Sequence, residues 1–354
     1  MVQPLLSRAL PGLGYAAARL GSGSDVLGLD DGMSRDHDWG CRLTLLVDED
    51  ARDQVPRISQ LLAERLPERF GEFPVRFPLT WDSSVSHQVE VASVSSFAVS
   101  RLGVDPTGGL SALDWLTVTG QSVLEVTAGP VFADRTRALA AVRSLLTWYP
   151  PEVERYVLAA GWQRICQLLP MMGRTADAGD ELGSRLLSAE LAHDLMRLAF
   201  ALSRRWAPYA KWRGTVFRSL PVAARLAPLL DIAVAAPGWR EREDALTAAC
   251  ELLLDLQRAR AAGARPRRDP VLRPPLPHGG PGGAGCAPRR HHQSGRRPAA
   301  APDRRDRAVG RLDRRLVQPG TKSSPAGGLP SLDERSRITV TGLGGCCAGD
   351  PLDG

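Results

Sequence analysis

The chain has 354 residues, of which 45 are Lys or Arg and 39 are Asp or Glu, and its formal net charge is +6. The positive excess lies at one end: residues 261–354 hold 17 basic and 8 acidic residues, which leaves 28 basic and 31 acidic residues in 1–260. This mildly acidic body excludes an extended basic surface for nucleic acid, and the sequence has neither a membrane-length apolar run nor a signal peptide, so a cytoplasmic protein is predicted.

Short strands and helices alternate along the first part of the chain. The main signals are apolar residues at helical spacing and short stretches in which apolar and polar residues alternate. The predicted elements are a helix over 2–11, strands over 15–20 and 41–47, a helix over 51–70, and strands over 87–94 and 122–127. This order predicts an α/β (α+β) domain with a mixed sheet over residues 1–133.

Ala- and Leu-rich segments fill the next part of the chain, and their apolar residues recur at helical spacing. Helices are predicted over 134–147, 152–169, 178–205, 223–235 and 240–262. The sequence therefore predicts a second, all-α helical domain over residues 134–260.

The last segment, residues 261–354, contains no Phe, Tyr or Trp and is rich in Arg, Pro, Gly and Ala. Such a segment buries too little apolar area to offset its conformational entropy, so a disordered tail is predicted. Nucleic acid is expected as a partner only non-specifically, through this tail. The same mixture of residues arises when a GC-rich gene is read out of frame, so a genuine tail and a frameshifted one are both left open.

The strongest functional signal lies near the start of the chain. Gly23 and Ser24 are followed by Asp36 and Asp38, which have one residue, His37, between them. Backbone N–H groups of a Gly-Ser turn can hold phosphate oxygens. Two carboxylates at positions i and i+2 of an extended segment point to the same face, where they can share Mg²⁺. The alternative is a pair of solvated loop aspartates before a strand.

The order Gly23-Ser24, then Gly28, then Asp36-x-Asp38 resembles the signature of the polymerase-beta-type nucleotidyltransferase superfamily. Trp39-Gly40 follows the carboxylates, and further matching stretches lie at 89–91, 124–129, 159–163 and 206–212. With these, residues 10–255 resemble a bacterial domain-of-unknown-function family assigned to that superfamily. The resemblance implies a nucleotidyltransferase-like N-terminal domain followed by a helical C-terminal domain that covers the substrate and the nucleotide.

The resemblance also implies roles for single residues. The implied catalytic and metal-binding residues are Asp36, Asp38 and Glu90, and the implied phosphate-binding residues are Gly23 and Ser24; Lys211 is a further candidate for nucleotide binding, on the residue pattern described next. Glu90 is chosen because Val89 and Val91 flank it, and Glu125, in a similar setting, is the alternative third acid. Ser22 is the alternative phosphate-binding hydroxyl.

Lys211 is the only lysine in the first 260 residues, and it lies among Trp206, Tyr209 and Trp212. This group could stack on a base and bind a triphosphate. The alternative is a helix end whose cations suit the C-terminus and whose aromatic rings pack in the core.

The activity implied by the resemblance is Mg²⁺-dependent transfer of a nucleoside monophosphate from an NTP to a hydroxyl of a small molecule, with release of pyrophosphate. ATP is the first candidate for the NTP, and two Mg²⁺ ions would clamp the entering and leaving oxygens. The expected partners are therefore an NTP and a small hydroxylated acceptor. A non-catalytic nucleotide-binding protein or an antitoxin-like regulator of the same fold is the alternative.

Overall fold

The computed structural model describes residues 1–30, 40–80 and 82–263. The predicted Asp36-His37-Asp38 motif lies outside these residues, and so does the predicted disordered tail from residue 264 onward. All of the described residues belong to one compact unit. The domain boundary predicted between residues 133 and 134 stays a prediction.

The described residues contain seven β-strands and eleven α-helices. The strands are β1 (Tyr15–Ala18), β2 (Arg42–Val47), β3 (Arg69–Phe70), β4 (Phe73–Pro74), β5 (Arg76–Leu79), β6 (Asp82–Ser93) and β7 (Val131–Asp134). The helices are α1 (Val2–Ala9), α2 (Val55–Arg65), α3 (Val94–Leu102), α4 (Ala112–Thr117), α5 (Gly120–Thr127), α6 (Ala138–Leu145), α7 (Pro151–Asp177), α8 (Glu181–Leu202), α9 (Ala210–Phe217), α10 (Ala223–Ala235) and α11 (Trp239–Ala261). A 3₁₀ helix, Glu49–Gln54, leads into α2.

Five of the strands form one mixed sheet in the order β5-β6-β2-β1-β7, while β3 pairs with β4. β1 runs antiparallel to both β2 and β7, whereas β2 and β6 run parallel. Parallel neighbours need a long crossover connection, and α2 forms part of the connection between β2 and β6. The predicted mixed sheet is confirmed.

Alternation along the central strands divides their side chains between two hydrophobic cores. On one face of the sheet, Leu45 and Val89 pack against α1 and α2. On the other face, Leu46 packs with apolar residues of α3, α5 and α6. Glu90 follows Val89 directly, so its side chain leaves the sheet on the face that α3 covers.

The predicted strand over 122–127 is wrong, because these residues form helix α5. Thr119 caps this helix: its Oγ1 accepts a hydrogen bond from the Ser122 N–H at 3.1 Å, and the Ser122 hydroxyl accepts one from the Thr119 N–H at 3.0 Å. Val123 and Val126, three residues apart, are then both buried on one side of the helix.

Several predicted helices have different bounds in the structure, and three of them differ in more than their end residues. The helix predicted from residue 134 begins only at Ala138, because Asp134 ends the edge strand β7 and a bend over residues 135–137 follows it. The helix predicted over 51–70 divides into the 3₁₀ helix and α2, which ends at Arg65. Helix α7 continues past the predicted end at residue 169, with Pro170 inside it.

Helices α7, α8, α10 and α11 enclose the third hydrophobic core, in which Leu195, Leu226 and Leu246 are fully buried. Arg242 of α11 is also fully buried, and its guanidinium donates to the Ser184 hydroxyl at 2.9 Å. The predicted fold class, an α+β part with a mixed sheet followed by an all-α part, is therefore confirmed for the described residues. No helix in the described ranges is long and apolar enough to cross a membrane.

Candidate functional site

The turn after β1, residues 21–28, is closed by a buried arginine. The Arg19 guanidinium binds both carboxylate oxygens of Asp25, at 2.6 Å from Nε and 2.9 Å from Nη2, and Nη2 also donates to the Ser22 carbonyl at 2.9 Å. Gly23 lies inside this loop with a φ of +136°, and a Cβ on it would come within 2.7 Å of Arg19 Nη2. The glycine predicted to bind phosphate is therefore also required by the packing of the turn itself.

Ser24 follows in the same turn, and its hydroxyl is already hydrogen-bonded. Its Oγ donates to Asp30 Oδ1 at 2.6 Å, and its carbonyl accepts from the N–H groups of Leu27 at 3.1 Å and Leu29 at 2.9 Å. The single proton of the hydroxyl thus points at a carboxylate. Donation from this hydroxyl to a phosphate requires the Ser24–Asp30 hydrogen bond to open.

Glu90 of β6 forms an ion pair with Arg101 of α3. Arg101 Nη2 donates to the two carboxylate oxygens at 2.8 and 2.7 Å, and 43% of the Glu90 side chain is exposed. The guanidinium lies 4.9 Å from the centroid of the Phe97 ring, and a Cβ on Gly21 would be 3.4 Å from Nη2. Arg101 therefore lies between Glu90 and the 21–28 turn.

Nothing in the sequence pattern points to Arg101, because its pairing with Glu90 forms only when α3 folds back along β6. The same holds for Arg19, whose role depends on the path of the turn. The sequence offers only one signal for either arginine, namely that it lies within about ten residues of a predicted site residue. Arginines at that distance are too common in this chain for the signal to identify a functional residue.

Glu125, the alternative third acid, belongs to helix α5. Its carboxylate accepts from Gln121 Nε2 at 3.1 Å, one helical turn earlier, and its backbone carbonyl accepts from the Gly21 N–H at 2.8 Å. Glu125 thus supports the 21–28 turn through its backbone. Glu90 is the predicted acid whose side chain contacts Arg101 at this turn.

Asp36 and Asp38 lie outside the described residues, so only Glu90 of the predicted metal ligands has a described environment. Within residues 1–30, 40–80 and 82–263, no three His, Cys, Asp or Glu side chains form a group that could hold a metal ion. Glu90 has a hard carboxylate of the kind that Mg²⁺ prefers, but Arg101 neutralises it. A Mg²⁺ ion on Glu90 would have to replace that guanidinium.

Lys211 lies in the first turn of α9 and is exposed. Its Nζ is 4.8 Å from the centroid of the Trp212 ring, a cation–π contact. The preceding Tyr209 donates its N–H to Gln121 Oε1 at 3.1 Å, which fixes the start of α9 against α5. Lys211 is therefore on a segment attached to the helix that also supports the 21–28 turn.

Four aromatic side chains cluster beside this segment. The centroid of the Trp206 ring is 4.6 Å from those of Trp148 and Tyr149, and 6.4 Å from that of Trp115, with which it is stacked. Trp206 Nε1 also donates to the Leu146 carbonyl at 3.0 Å. Trp206 therefore packs as part of a fixed aromatic wall, defined here as Trp148, Tyr149 and Trp206.

A buried carboxylate holds this wall in place. Glu154 of α7 accepts from Trp148 Nε1 at 2.8 Å, from Arg204 at 2.9 and 2.6 Å, and from Arg260 of α11. Burial raises the pKa of Glu154, but the hydrogen bonds from its three partners outweigh burial and lower the pKa to about 2. Glu154 is therefore ionised at neutral pH and joins α7, α11 and the aromatic wall.

A cavity of about 380 Å³ opens beside the aromatic wall. It lies between α7 and α8, and Gly120 at the start of α5 and Trp206 also line it. The cavity and the 21–28 turn are thus both in contact with α5, one at each end of the helix.

Residues 115–213 match the family described as Domain of unknown function (DUF4037). The predicted resemblance to a domain-of-unknown-function family is confirmed for this range. The matched range contains every residue that lines the cavity, whereas the 21–28 turn and Glu90 lie before it.

A comparison with curated proteins gives no match. Among solved structures, the chain resembles a nucleotidyltransferase-like protein from Exiguobacterium sibiricum 255-15, with 13% sequence identity and a TM-score of 0.34. The likeness covers 74% of this chain and 75% of that chain. It is too weak to transfer a fold or an activity.

Proposed function

We propose that the protein is a Mg²⁺-dependent nucleotidyltransferase, which moves a nucleoside monophosphate from an NTP to a hydroxyl of a small molecule and releases pyrophosphate. ATP is the first NTP to examine. The observation that carries this proposal is that the 21–28 turn, Arg101 and Glu90 meet at one end of the sheet.

The strand register explains why these groups meet. Ala18, the last residue of β1, pairs with Thr44 of β2, and Thr44 pairs with Glu90 of β6. Because β1 and β2 are antiparallel, the chain leaves β1 at the end of the sheet where β2 begins. The 21–28 turn is therefore formed beside Glu90.

Asp36 and Asp38 lie outside the described residues, and their roles are proposed from their position in the sequence just before β2. Asp38 is two residues before Gly40, so covalent geometry keeps its Cα within about 7 Å of that of Gly40. In an extended segment leading into β2, Asp36 and Asp38 would share a face with Thr44 and Glu90, because side chains alternate. Three carboxylates would then converge beside the turn.

In the proposed reaction, the carboxylates of Asp36, Asp38 and Glu90 would hold the Mg²⁺ ions. Bound Mg²⁺ would supply neutralisation of phosphate charge and activation of that hydroxyl. Glu90 must exchange its Arg101 partner for the metal in this arrangement.

The nucleotide would be held from the side of the turn. Backbone N–H groups at Gly23 and Ser24 would bind phosphate oxygens, and Arg101, once released from Glu90, lies close enough to Gly21 to pair with them. Lys211 would add a charge from the neighbouring segment. Positioning and charge neutralisation of this kind supply most of the catalysis in phosphoryl-transfer chemistry.

The proposal is tested by incubating the protein with each α-labelled NTP, Mg²⁺ and a metabolite extract. We expect one NTP to give a labelled product together with pyrophosphate, and EDTA to abolish both. If no NTP gives a Mg²⁺-dependent product with any fraction of the extract, the proposal is wrong.

One observation favours the second candidate, a nucleotide-binding or antitoxin-like protein without turnover. Ser24 is hydrogen-bonded to Asp30, and Glu90 is paired with Arg101, so both predicted site groups are satisfied within the chain. Such a protein would retain a labelled NTP on a filter without transferring the label. The same incubation therefore separates the two functions.

A further inference from the structure

The cavity between α7 and α8 has the size of a small-molecule site. Its volume of about 380 Å³ falls within the range of roughly 300–1,000 Å³ that such sites occupy. Small residues create the space: Gly161 of α7, Ala201 of α8 and Gly120 at the start of α5 all line it. Trp206, which the sequence analysis grouped with Lys211, is part of the lining, whereas Gly23, Ser24, Glu90, Arg101 and Lys211 are not.

One side of the cavity is a preorganised aromatic surface. Trp148 is held by Glu154 at 2.8 Å, Trp206 is held by the Leu146 carbonyl at 3.0 Å, and the rings pack on one another. Tyr156 of α7, a residue that is 61% exposed, adds a further ring. Fixed aromatic faces of this kind stack flat ligand rings at little entropic cost.

The other side of the cavity is positively charged. Arg164 is paired with Asp194, with Nε 2.6 Å from Oδ2, and it also contacts Glu190. Arg197 and Arg205 line the cavity and are exposed, and neither has a carboxylate partner within the ranges that the structure describes. Guanidinium groups without a partner acid bind phosphate or carboxylate groups well.

The positive charge of Arg197 lowers the pKa of two neighbouring side chains. Burial lowers the pKa of His193, and Arg213 and Arg197 lower it further. Burial and Arg197 likewise lower the pKa of Arg213. Asp194, the one acidic residue in the cavity lining, is already used by Arg164. The cavity therefore has an excess of positive charge at neutral pH.

We propose that this cavity binds a small molecule that carries one flat aromatic ring and one anionic group. The ring stacks on the aromatic wall, and the anionic group binds Arg197 and Arg205. A nucleoside monophosphate and an aromatic acid share this chemistry, and the size of the ring distinguishes them. Binding in this cavity needs no metal, so it can be measured in EDTA, where the proposed nucleotidyl transfer does not take place.

Four probes in EDTA separate the two halves of the recognition. AMP and phenyl phosphate carry both groups, adenosine carries only the ring, and inorganic phosphate carries only the anion. By tryptophan fluorescence and isothermal titration, we expect saturable binding of AMP or phenyl phosphate, with adenosine and phosphate about ten-fold weaker or more. A preference for AMP indicates a nucleotide, and a preference for phenyl phosphate indicates an aromatic acid. The proposal is overturned if neither binds, or if inorganic phosphate binds as tightly as the better of the two.

Variants then place the bound probe in the cavity. Arg197→Gln with Arg205→Gln should weaken binding about ten-fold or more, and so should Tyr156→Ala; all three side chains are exposed, so the fold should be kept. The matched control is Arg225→Gln, an exposed arginine of α10 outside the lining. Unchanged binding in both cavity variants, or an equal loss in the control, overturns the proposal. Asp38→Asn should bind the probe normally, which separates failure here from failure of the transfer proposal.

Discussion

The ionised carboxylate of Glu154 stabilises the helical part of the fold. Its pKa is about 2 in the folded protein, whereas a glutamate in an unfolded chain titrates near pH 4.3. Because the folded pKa is depressed, the stabilisation is fully present above about pH 5 and is lost as the pH falls towards 2. A shift of this size corresponds to about 3 kcal/mol of the free energy of unfolding.

We therefore expect Glu154→Gln to reduce the free energy of unfolding at pH 7 by up to about 3 kcal/mol, which lowers the melting temperature. The variant should also lose less stability than the wild type between pH 5 and pH 2. Thermal unfolding at pH 7, 5 and 3 measures both effects. Glu152→Gln, at an exposed position in the first turn of the same helix, is the control. Equal pH dependence in the wild type and in Glu154→Gln would contradict the role given to this carboxylate.

Gly23→Ala should destabilise the protein, because a Cβ at this position would meet Arg19 and Asp25 and the φ of +136° is unfavourable for alanine. The expected loss is about 2 kcal/mol in urea unfolding. Gly12→Ala is a matched control, since Gly12 has a φ of +88° but open space around it. We expect about 1 kcal/mol of loss there. Equal losses in the two variants would show that the packing of the turn is not the cause.

Among the elements, those with strong periodicity could be predicted from the sequence. The central strand β2 and helix α10 have continuous or regularly spaced apolar residues, and their predicted bounds agree with the structure to within one residue. The sequence predicts a strand over 122–127 where the structure has helix α5, because a short apolar segment does not reveal its period. Their helical state depends on the Thr119 cap. Strand β7 is a four-residue edge strand that only its pairing with β1 defines.

The candidate site was predictable only in part, for a related reason. The strand position of Glu90 could be predicted from the valines on either side of it, because apolar neighbours at alternate positions indicate a strand. Its ion pair with Arg101 depends on the way α3 returns along β6, which local sequence does not encode. Arg101 now gives the strongest structural link between Glu90 and the 21–28 turn.

A third prediction compares Glu90 and Glu125, the two candidates for the third acid, which lie on different elements. Glu90→Gln, on β6, should remove most nucleotidyl transfer but keep NTP binding, because its shape remains while its charge is lost. Glu125→Gln, on α5, should have a small effect, since Glu125 reaches the turn through its backbone carbonyl. Initial rates with labelled NTP and Mg²⁺ measure the difference. A larger loss in Glu125→Gln would transfer the role of third acid to α5.

At the scale of the whole molecule, the C-terminal end of α11 makes the last side-chain contacts with the helical core among the described residues. Arg260 contacts Glu154, and Gln257 accepts from Trp162 Nε1 at 2.7 Å. Both contacts join α11 to α7 across the third core. The composition of residues 264–354, without aromatic residues, predicts that they add nothing to this core.

A chain ending at Gly263 should therefore keep the melting temperature and the solubility of the full chain. A chain ending at Asp255 should lose several degrees, because it lacks Gln257 and Arg260. Thermal unfolding of both truncated proteins measures the difference. If the chain ending at Gly263 unfolds or aggregates while the full chain does not, the tail is structural.

If the proposed function is right, nucleotidyl transfer by this chain needs Asp36 and Asp38, the two aspartates that precede β2 in the sequence. Transfer from the α-labelled NTP should fall by about 100-fold or more in Asp36→Asn and in Asp38→Asn, with melting temperatures close to that of the wild type. Asp53→Asn, an exposed aspartate in the 3₁₀ helix at the opposite end of β2, should transfer at the wild-type rate. Near-wild-type transfer by either of the first two variants would contradict the proposed metal site.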